Sequence, residues 1–135
     1  MLVVVACATA STHPFPVSSL TVGDVELSVW TADDPAQRRQ GLRDVAGLPD
    51  GIDGMVFVYG TPGSASYEME NTLIPLDIWW FDENGALIGT DEMTPCPAEP
   101  CEDYVSPGPV LTVLETPLGD HEFETGAVIS NVENG

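Results

Sequence analysis

The chain has 135 residues, which is enough for one domain and short for two. It carries 22 acidic residues against three arginines and no lysine, so its formal net charge is −19 at pH 7. This charge disfavours binding to nucleic acid or to an anionic membrane surface, and we interpret it as a solvated acidic surface suited to a salty or extracytoplasmic setting.

The N-terminal residues 1–10 are small and apolar, and Cys7 ends a short run that is similar to a bacterial lipobox. The basic region and the long apolar core of a complete secretory signal are missing, so we expect the gene to extend upstream of Met1. An N-terminal strand is the alternative. The proline-rich residues 11–19 are interpreted as a tether, and residues 20–132 as the domain.

The domain is predicted to begin with a hairpin and a helix. Leu20 to Val22 and Val25 to Trp30 alternate around a two-residue turn of Gly and Asp, as the strands of a tight hairpin do. Asp34 followed by proline is a helix start, with Gln37 placed to complete a capping box. We expect this helix to continue to about Ala46.

All three arginines, Arg38, Arg39 and Arg43, fall on this predicted helix. In so acidic a chain they are expected to form surface ion pairs. A site for an anion or for a partner is the alternative.

The densest apolar segment, residues 67–81, is predicted to be the centre of the fold. From Ile74 onward both faces of an extended strand would be apolar, except at Asp77. A buried carboxylate is costly without a partner, so Asp77 either braces a loop or faces a ligand. The residues 54–59 form a shorter predicted core strand.

The remaining pattern predicts more hairpins. Residues 79–81 and 86–90 flank a turn, residues 91–109 are irregular, and residues 110–115 and 122–130 are the last predicted strands. Together these elements predict a mainly β, single-domain antiparallel barrel or sandwich of about seven strands with one short helix.

Five ordered segments resemble those of a known family. They are Arg38 to Leu42, Gly54 to Val58, Met69 to Ile78, Met93 to Cys96 with Cys101 and Tyr104, and Val113 to Glu115. The central Asn-Thr-Leu-Ile-Pro-Leu-Asp signature makes the chain similar to the DUF192 family, also called UPF0127, over about residues 25–130. This resemblance implies a small β-rich domain with a short helix, often exported or lipid-anchored, with no established activity.

The chain departs from the family pattern at a few positions. Glu70 stands where members commonly have a basic residue, and Glu68 stands near a common tryptophan. Arg43, Asp44 and Val45 stand where members tend to have a methionine and a second arginine. An anionic ligand that depends on a basic residue next to Asn71 is therefore not expected.

Sulfur-containing residues suggest a disulfide or a metal site. Cys96 and Cys101 are spaced to close a short disulfide in an exported protein. A zinc site usually uses four Cys or His ligands, and one of the two histidines, His13, lies in the tether, so zinc is the weaker alternative. The other histidine is His121. A copper site would use methionines with the thiols, although methionines at strand positions are more often core residues. These methionines are Met55, Met69 and Met93.

Residues for catalysis are sparse. Asp120 and His121 are neighbours in sequence, which does not let the acid orient the imidazole. A carboxylate pair such as Asp77 with Glu115 is the basis of a hydrolytic alternative. No phosphate loop or cofactor motif occurs, and we expect neither a cofactor nor a metal.

The ligand-binding candidates are Asn71, Asp77, Met69 and Glu115. Asn71 and Asp77 would share a face if the strand were regular, but structural bracing is the preferred interpretation. The sequence thus predicts a monomeric, exported, lipid-anchored acidic β-domain. Its expected role is to bind a small molecule, an envelope component or a protein partner rather than to catalyse a reaction.

Overall fold

A computed structural model describes residues 15–132. The lipobox cysteine, Cys7, and most of the predicted tether lie outside the described residues. The elements follow in chain order: β1 Val17–Val22, β2 Val25–Ala32, α1 Pro35–Gln40, β3 Gly54–Gly63, β4 Ser66–Tyr67, β5 Leu76–Phe81, β6 Leu87–Met93, β7 Tyr104–Val105, β8 Val110–Pro117 and β9 Ile129–Ser130.

Seven of the strands form one curled sheet, a half-barrel, in the order β6-β5-β8-β3-β2-β1-β9. Its neighbouring strands are antiparallel except β2 and β3, which run parallel. A parallel pair needs a crossover, and here the crossover carries α1. The expectation of a mainly β single domain with about seven strands and one short helix is confirmed.

The two ends of the curled sheet meet at one point. Ala86, just before β6, forms a bridge with Val128, just before β9. The Ile129 N–H donates to the Gly85 carbonyl at 2.8 Å, and Gly85 has a φ of 82°. A Cβ on Gly85 would lie 2.9 Å from the Ile129 carbonyl oxygen, so this closure requires glycine.

Each face of the sheet carries its own apolar cluster. The inner cluster has side chains from all seven strands of the sheet, among them Val29, Val56, Phe81 and Leu114. The outer cluster includes Met55, Trp80 and other residues that the helix and the long connections cover. Burial on both faces explains why β5 is apolar at every position but Asp77.

The helix is shorter than the sequence predicts. Asp34 Oδ1 accepts a hydrogen bond from the Gln37 N–H at 2.8 Å, and Gln37 Oε1 accepts one from the Asp33 N–H at 3.0 Å. The predicted start is therefore correct. The predicted end near Ala46 is wrong, because Gly41 has a φ of 47° and ends the helix after Gln40.

Two predicted boundaries also need correction. The strand β1 begins at Val17, and the buried Phe15 packs against Trp30 with 5.8 Å between ring centroids, so the end of the predicted tether belongs to the domain. The last predicted strand is reduced to Ile129–Ser130. Among residues 15–132 no helix is long and apolar enough to cross a membrane.

The structure joins Cys96 and Cys101 in a disulfide, as the sequence predicts. The Cys96 N–H donates to the Met69 carbonyl at 3.3 Å, and Cys96 forms a bridge with Glu70. The disulfide loop is thereby attached to the connection between β4 and β5.

We expect reduction of this disulfide to lower the free energy of unfolding by about 2 kcal/mol, because closing so short a loop removes little entropy from the unfolded chain. Urea unfolding with and without a thiol reductant measures the difference. The Cys96→Ser/Cys101→Ser variant is the control, since reductant should not change its midpoint. Equal midpoints for the parent in both conditions would contradict this expectation.

Candidate functional site

A cavity of about 610 Å³ opens between α1 and the outer face of the sheet. Its volume lies within the usual range for small-molecule sites, roughly 300 to 1,000 Å³. The sheet supplies residues from β3 and β8, and the walls come from α1, the segment after it and β4. The lining side chains with distinctive chemistry are Arg38, Arg39, Phe57, Tyr59, Tyr67 and Glu115.

Glu115 is a buried carboxyl that lines this cavity. On β8 it pairs with Met55 of β3 and Ile78 of β5, so its side chain shares the outer face with theirs. It is 5% exposed and makes no side-chain hydrogen bond within residues 15–132. Burial raises the pKa of the Glu115 carboxyl to about 8, so this group holds a proton at neutral pH.

The close approach of β3 and β8 positions Glu115. A Cβ on Gly54 would lie 2.2 Å from the Glu115 carbonyl oxygen, which only glycine avoids. From Met55 onward, alternate residues of β3 point to the outer face, which places Phe57 and Tyr59 beside the cavity.

Two tyrosines form the polar part of the aromatic wall. The Tyr59 and Tyr67 hydroxyls are 2.6 Å apart and share one hydrogen bond. Burial raises the pKa of both phenols, and the nearby Glu115 contributes in the same direction. Since one hydroxyl donates to the other, one phenolic hydrogen remains for a further acceptor. Tyr67 also contacts Phe57 edge to face, with 5.1 Å between ring centroids.

The arginines differ in their partners. Arg43 lies beyond the end of α1 and forms the one ion pair within residues 15–132, with Glu68 at 3.1 Å. The Arg38 guanidinium stacks over the Tyr59 ring, 4.7 Å from its centroid, and donates to the Val58 carbonyl at 2.8 Å. The expected ion pair therefore occurs at Arg43 alone in this part of the chain.

The four predicted ligand-binding residues do not share one cavity. Glu115 lines the cavity described above, whereas Asn71, Asp77 and Met69 are not among its lining residues. Asn71 is exposed at a turn with a φ of 60°, and its carbonyl accepts from the Asp44 N–H at 2.8 Å. Met69 is 1% exposed and packs in the outer cluster.

Asp77 lies on the inner face of the sheet. Its backbone pairs with Thr116, the residue after Glu115, so the two carboxyls point to opposite faces. Asp77 Oδ2 accepts a hydrogen bond from the Gly119 N–H at 2.9 Å. The structure thus attaches Asp77 to the turn after β8 and does not bring it together with Glu115 for acid-base work.

The other residues that the sequence suggests for metal binding or catalysis are engaged in structural contacts. The Cys96 and Cys101 sulfurs are joined in the disulfide, and Met55 and Met93 are fully buried in the outer cluster. The His121 ring stacks on Phe123 with 5.4 Å between ring centroids. No group of three or more potential metal-ligating His, Cys, Asp or Glu residues occurs within residues 15–132.

Sequence reasoning did not identify the aromatic wall of the cavity. The sequence predicts Phe57 and Tyr59 in a core strand and Tyr67 at the start of the central segment. The useful signal is the alternation of Met55, Phe57 and Tyr59, which shows that β3 has one face rich in large side chains. Nothing in the sequence indicates that Tyr67 meets that face, because the two residues between β3 and β4 carry no pattern that sets the direction of β4.

Two solved structures are similar to this fold. A proposed transcription regulator from Sinorhizobium meliloti 1021 is 25% identical, with a TM-score of 0.74 over 86% of this chain and 94% of its own. A protein of unknown function from Novosphingobium aromaticivorans DSM 12444 is 24% identical, with a TM-score of 0.78 over 93% of each chain. A comparison with curated proteins finds no match.

The family model for DUF192, described as an uncharacterized ACR, matches residues 18–129. This range contains the whole sheet except its first and last residues, and it contains every residue that lines the cavity. The chain belongs to the DUF192 family.

Proposed function

We propose that this protein binds a small molecule in the cavity between α1 and the outer face of the sheet. The observation that carries this proposal is Glu115, a carboxyl that is 5% exposed, lines the cavity and has no hydrogen-bonding partner within residues 15–132. A buried carboxyl costs stability, and perturbed titratable groups in clefts are found mostly at functional sites.

The walls of the cavity support binding of an organic molecule. The Tyr67 ring is part of the cavity wall, and the Tyr59 and Tyr67 hydroxyls offer a hydrogen bond next to it. A pocket that combines aromatic surface with a small number of convergent polar groups is typical of ligand sites.

Binding is favoured over hydrolysis by the position of the carboxyls. Glycoside-type hydrolysis needs two carboxyls on either side of one bond. Asp77, the predicted partner of Glu115, points to the opposite face of the sheet. Glu68 also lines the cavity, but it is held in an ion pair with Arg43. The transcriptional role proposed for the Sinorhizobium protein is less compatible with this chain, because a net charge of −19 opposes contact with DNA.

A fragment screen observed by protein NMR tests the proposal. We expect a subset of fragments to shift the signals of Tyr59, Tyr67 and Glu115 and to raise the melting temperature. Glu115→Gln should change the affinity of those fragments, whereas Glu92→Gln, an exposed carboxyl on β6, should not. A screen without hits at the cavity, or hits that Glu115→Gln leaves unaffected, would refute the proposal.

We also propose that the protein acts outside the cytoplasm, anchored by lipid on Cys7. The disulfide between Cys96 and Cys101 supports this location, because oxidising compartments favour such bonds. Metabolic labelling with a fatty acid, applied to the complete gene product in its native host, should mark the protein, and Cys7→Ala should abolish the label. Equal labelling of both forms, or a cytoplasmic product, would contradict the anchor.

A further inference from the structure

We propose that the ligand of the cavity is a small organic carboxylate, bound through Arg38 and Arg39, with its uncharged end directed toward Glu115 and the tyrosine pair. This inference rests on the proposed function and adds the chemical class of the ligand. It combines the charge distribution of the whole chain with the composition of one cavity.

The cavity concentrates the positive charge of an acidic protein. The chain has three arginines and no lysine, and all three arginines line this cavity. Within residues 15–132, Glu68 neutralises Arg43, but no carboxylate lies within ion-pair distance of Arg38 or Arg39. Because the rest of the surface is strongly negative, this is the place where an organic anion meets favourable charge.

An organic cation fits the cavity less well. The aromatic wall and a carboxyl could in principle hold an ammonium group. However, the Arg38 guanidinium already covers the Tyr59 ring, with 4.7 Å to its centroid. Burial also keeps Glu115 protonated at neutral pH, so Glu115 offers a hydrogen bond and not a negative charge.

A carboxylate fits better than a phosphate. Guanidinium groups bind carboxylates through two parallel hydrogen bonds, and a single negative charge matches this geometry. A phosphate dianion would add a second negative charge to a cavity that the Glu68 carboxylate also lines. The Tyr67 ring in the cavity wall also favours a ligand with an apolar body behind its charged group.

A set of charge-matched compounds tests the inference. We would measure the affinities of 4-hydroxybenzoate, hexanoate and glucuronate, of their amides, and of 4-hydroxybenzylamine, hexylamine and glucosamine, with phenyl phosphate added. For the carbon skeleton that binds, the carboxylate should bind about tenfold or more tightly than its amide and amine.

Arg39 is the side chain to vary, because it is exposed and its removal should leave the fold intact. Arg39→Gln should reduce the preference for the carboxylate by about tenfold, and Arg39→Lys should retain most of it. The melting temperature of both variants should stay close to that of the parent, which separates a binding effect from a folding effect.

The possible outcomes distinguish the inference from the proposed function. Tighter binding of an amide, an amine or phenyl phosphate, or an unchanged preference in Arg39→Gln, overturns the inference and leaves the cavity as a binding site. The inference is also overturned if no carboxylate binds while other fragments from the NMR screen occupy the cavity. Absence of binding in both the set and the screen overturns both proposals.

Discussion

Replacing Glu115 with glutamine should make the protein more stable at alkaline pH, by about 4 to 5 kcal/mol above pH 8 and by almost nothing below pH 4.5. The pKa of Glu115 is about 8 in the folded protein and near 4.5 in an unfolded chain. Between these values the folded state holds a proton that the unfolded state has lost. The free energy of unfolding of the parent therefore falls as pH rises through this interval. The glutamine side chain does not titrate, so the variant does not show this decrease.

Urea unfolding at pH 5, 7 and 9 measures the effect. The other carboxylates of this acidic chain also titrate, but they are present in both proteins and cancel in the difference. Glu92→Gln is the control for loss of one charge at an exposed position. A difference in the free energy of unfolding between Glu115→Gln and the parent that stays constant with pH would contradict this expectation. It would show that the Glu115 carboxyl titrates normally and is not held neutral by burial.

Truncating Asp77 should lower the free energy of unfolding by about 3 kcal/mol, a large part of the stability of a domain this size. The carboxylate is 7% exposed and accepts the Gly119 N–H at 2.9 Å. Asp77→Ala leaves that donor without its acceptor. Asp77→Asn retains a carbonyl oxygen in the same place, so its cost should be smaller, about 1 kcal/mol.

Denaturation of both variants gives the comparison, and Asp120→Ala, an exposed carboxylate in the same turn, is the control. Because Asp77 points to the inner face of the sheet, affinity for ligands of the cavity should not change in the folded fraction of either variant. An Asp77→Ala protein as stable as the parent, or one that folds but loses ligand binding, would contradict the bracing role.

The fold could largely be predicted from local signals. The turn after Val22 and the turn after Phe81 each join strands that pair as expected, and Asp82 Oδ1 accepts hydrogen bonds from two N–H groups of the second turn. The end of α1 could not be predicted, because the residues after Gly41 are of types that also favour a helix. The backbone conformation of Gly41 nevertheless ends the helix. The parallel pairing of β2 and β3 joins residues that are far apart in sequence, and no short sequence pattern predicts it.

The site was only partly predictable for a related reason. Glu115 stands out as one acid in a buried strand, and the grouping of the arginines is visible in the sequence. The meeting of these groups depends on α1, on β3 with the adjoining β4, and on β8, and these three parts are well separated along the chain. The central signature instead suggests Asn71 and Asp77 as site residues. In the structure Asn71 adopts a turn conformation, and Asp77 holds a loop through a hydrogen bond.

The most direct test of a ligand site at Glu115 is an NMR titration of its side-chain carboxyl carbon, in the free protein and with the tightest-binding carboxylate of the charge-matched set. In the free protein we expect a midpoint near pH 8. The bound compound should move the midpoint further upward, because its uncharged end displaces water from the Glu115 carboxyl and its carboxylate adds a negative charge to the same cavity. A free-protein midpoint near 4.5, or a midpoint that the bound compound does not move, would contradict the assignment of this cavity as the binding site.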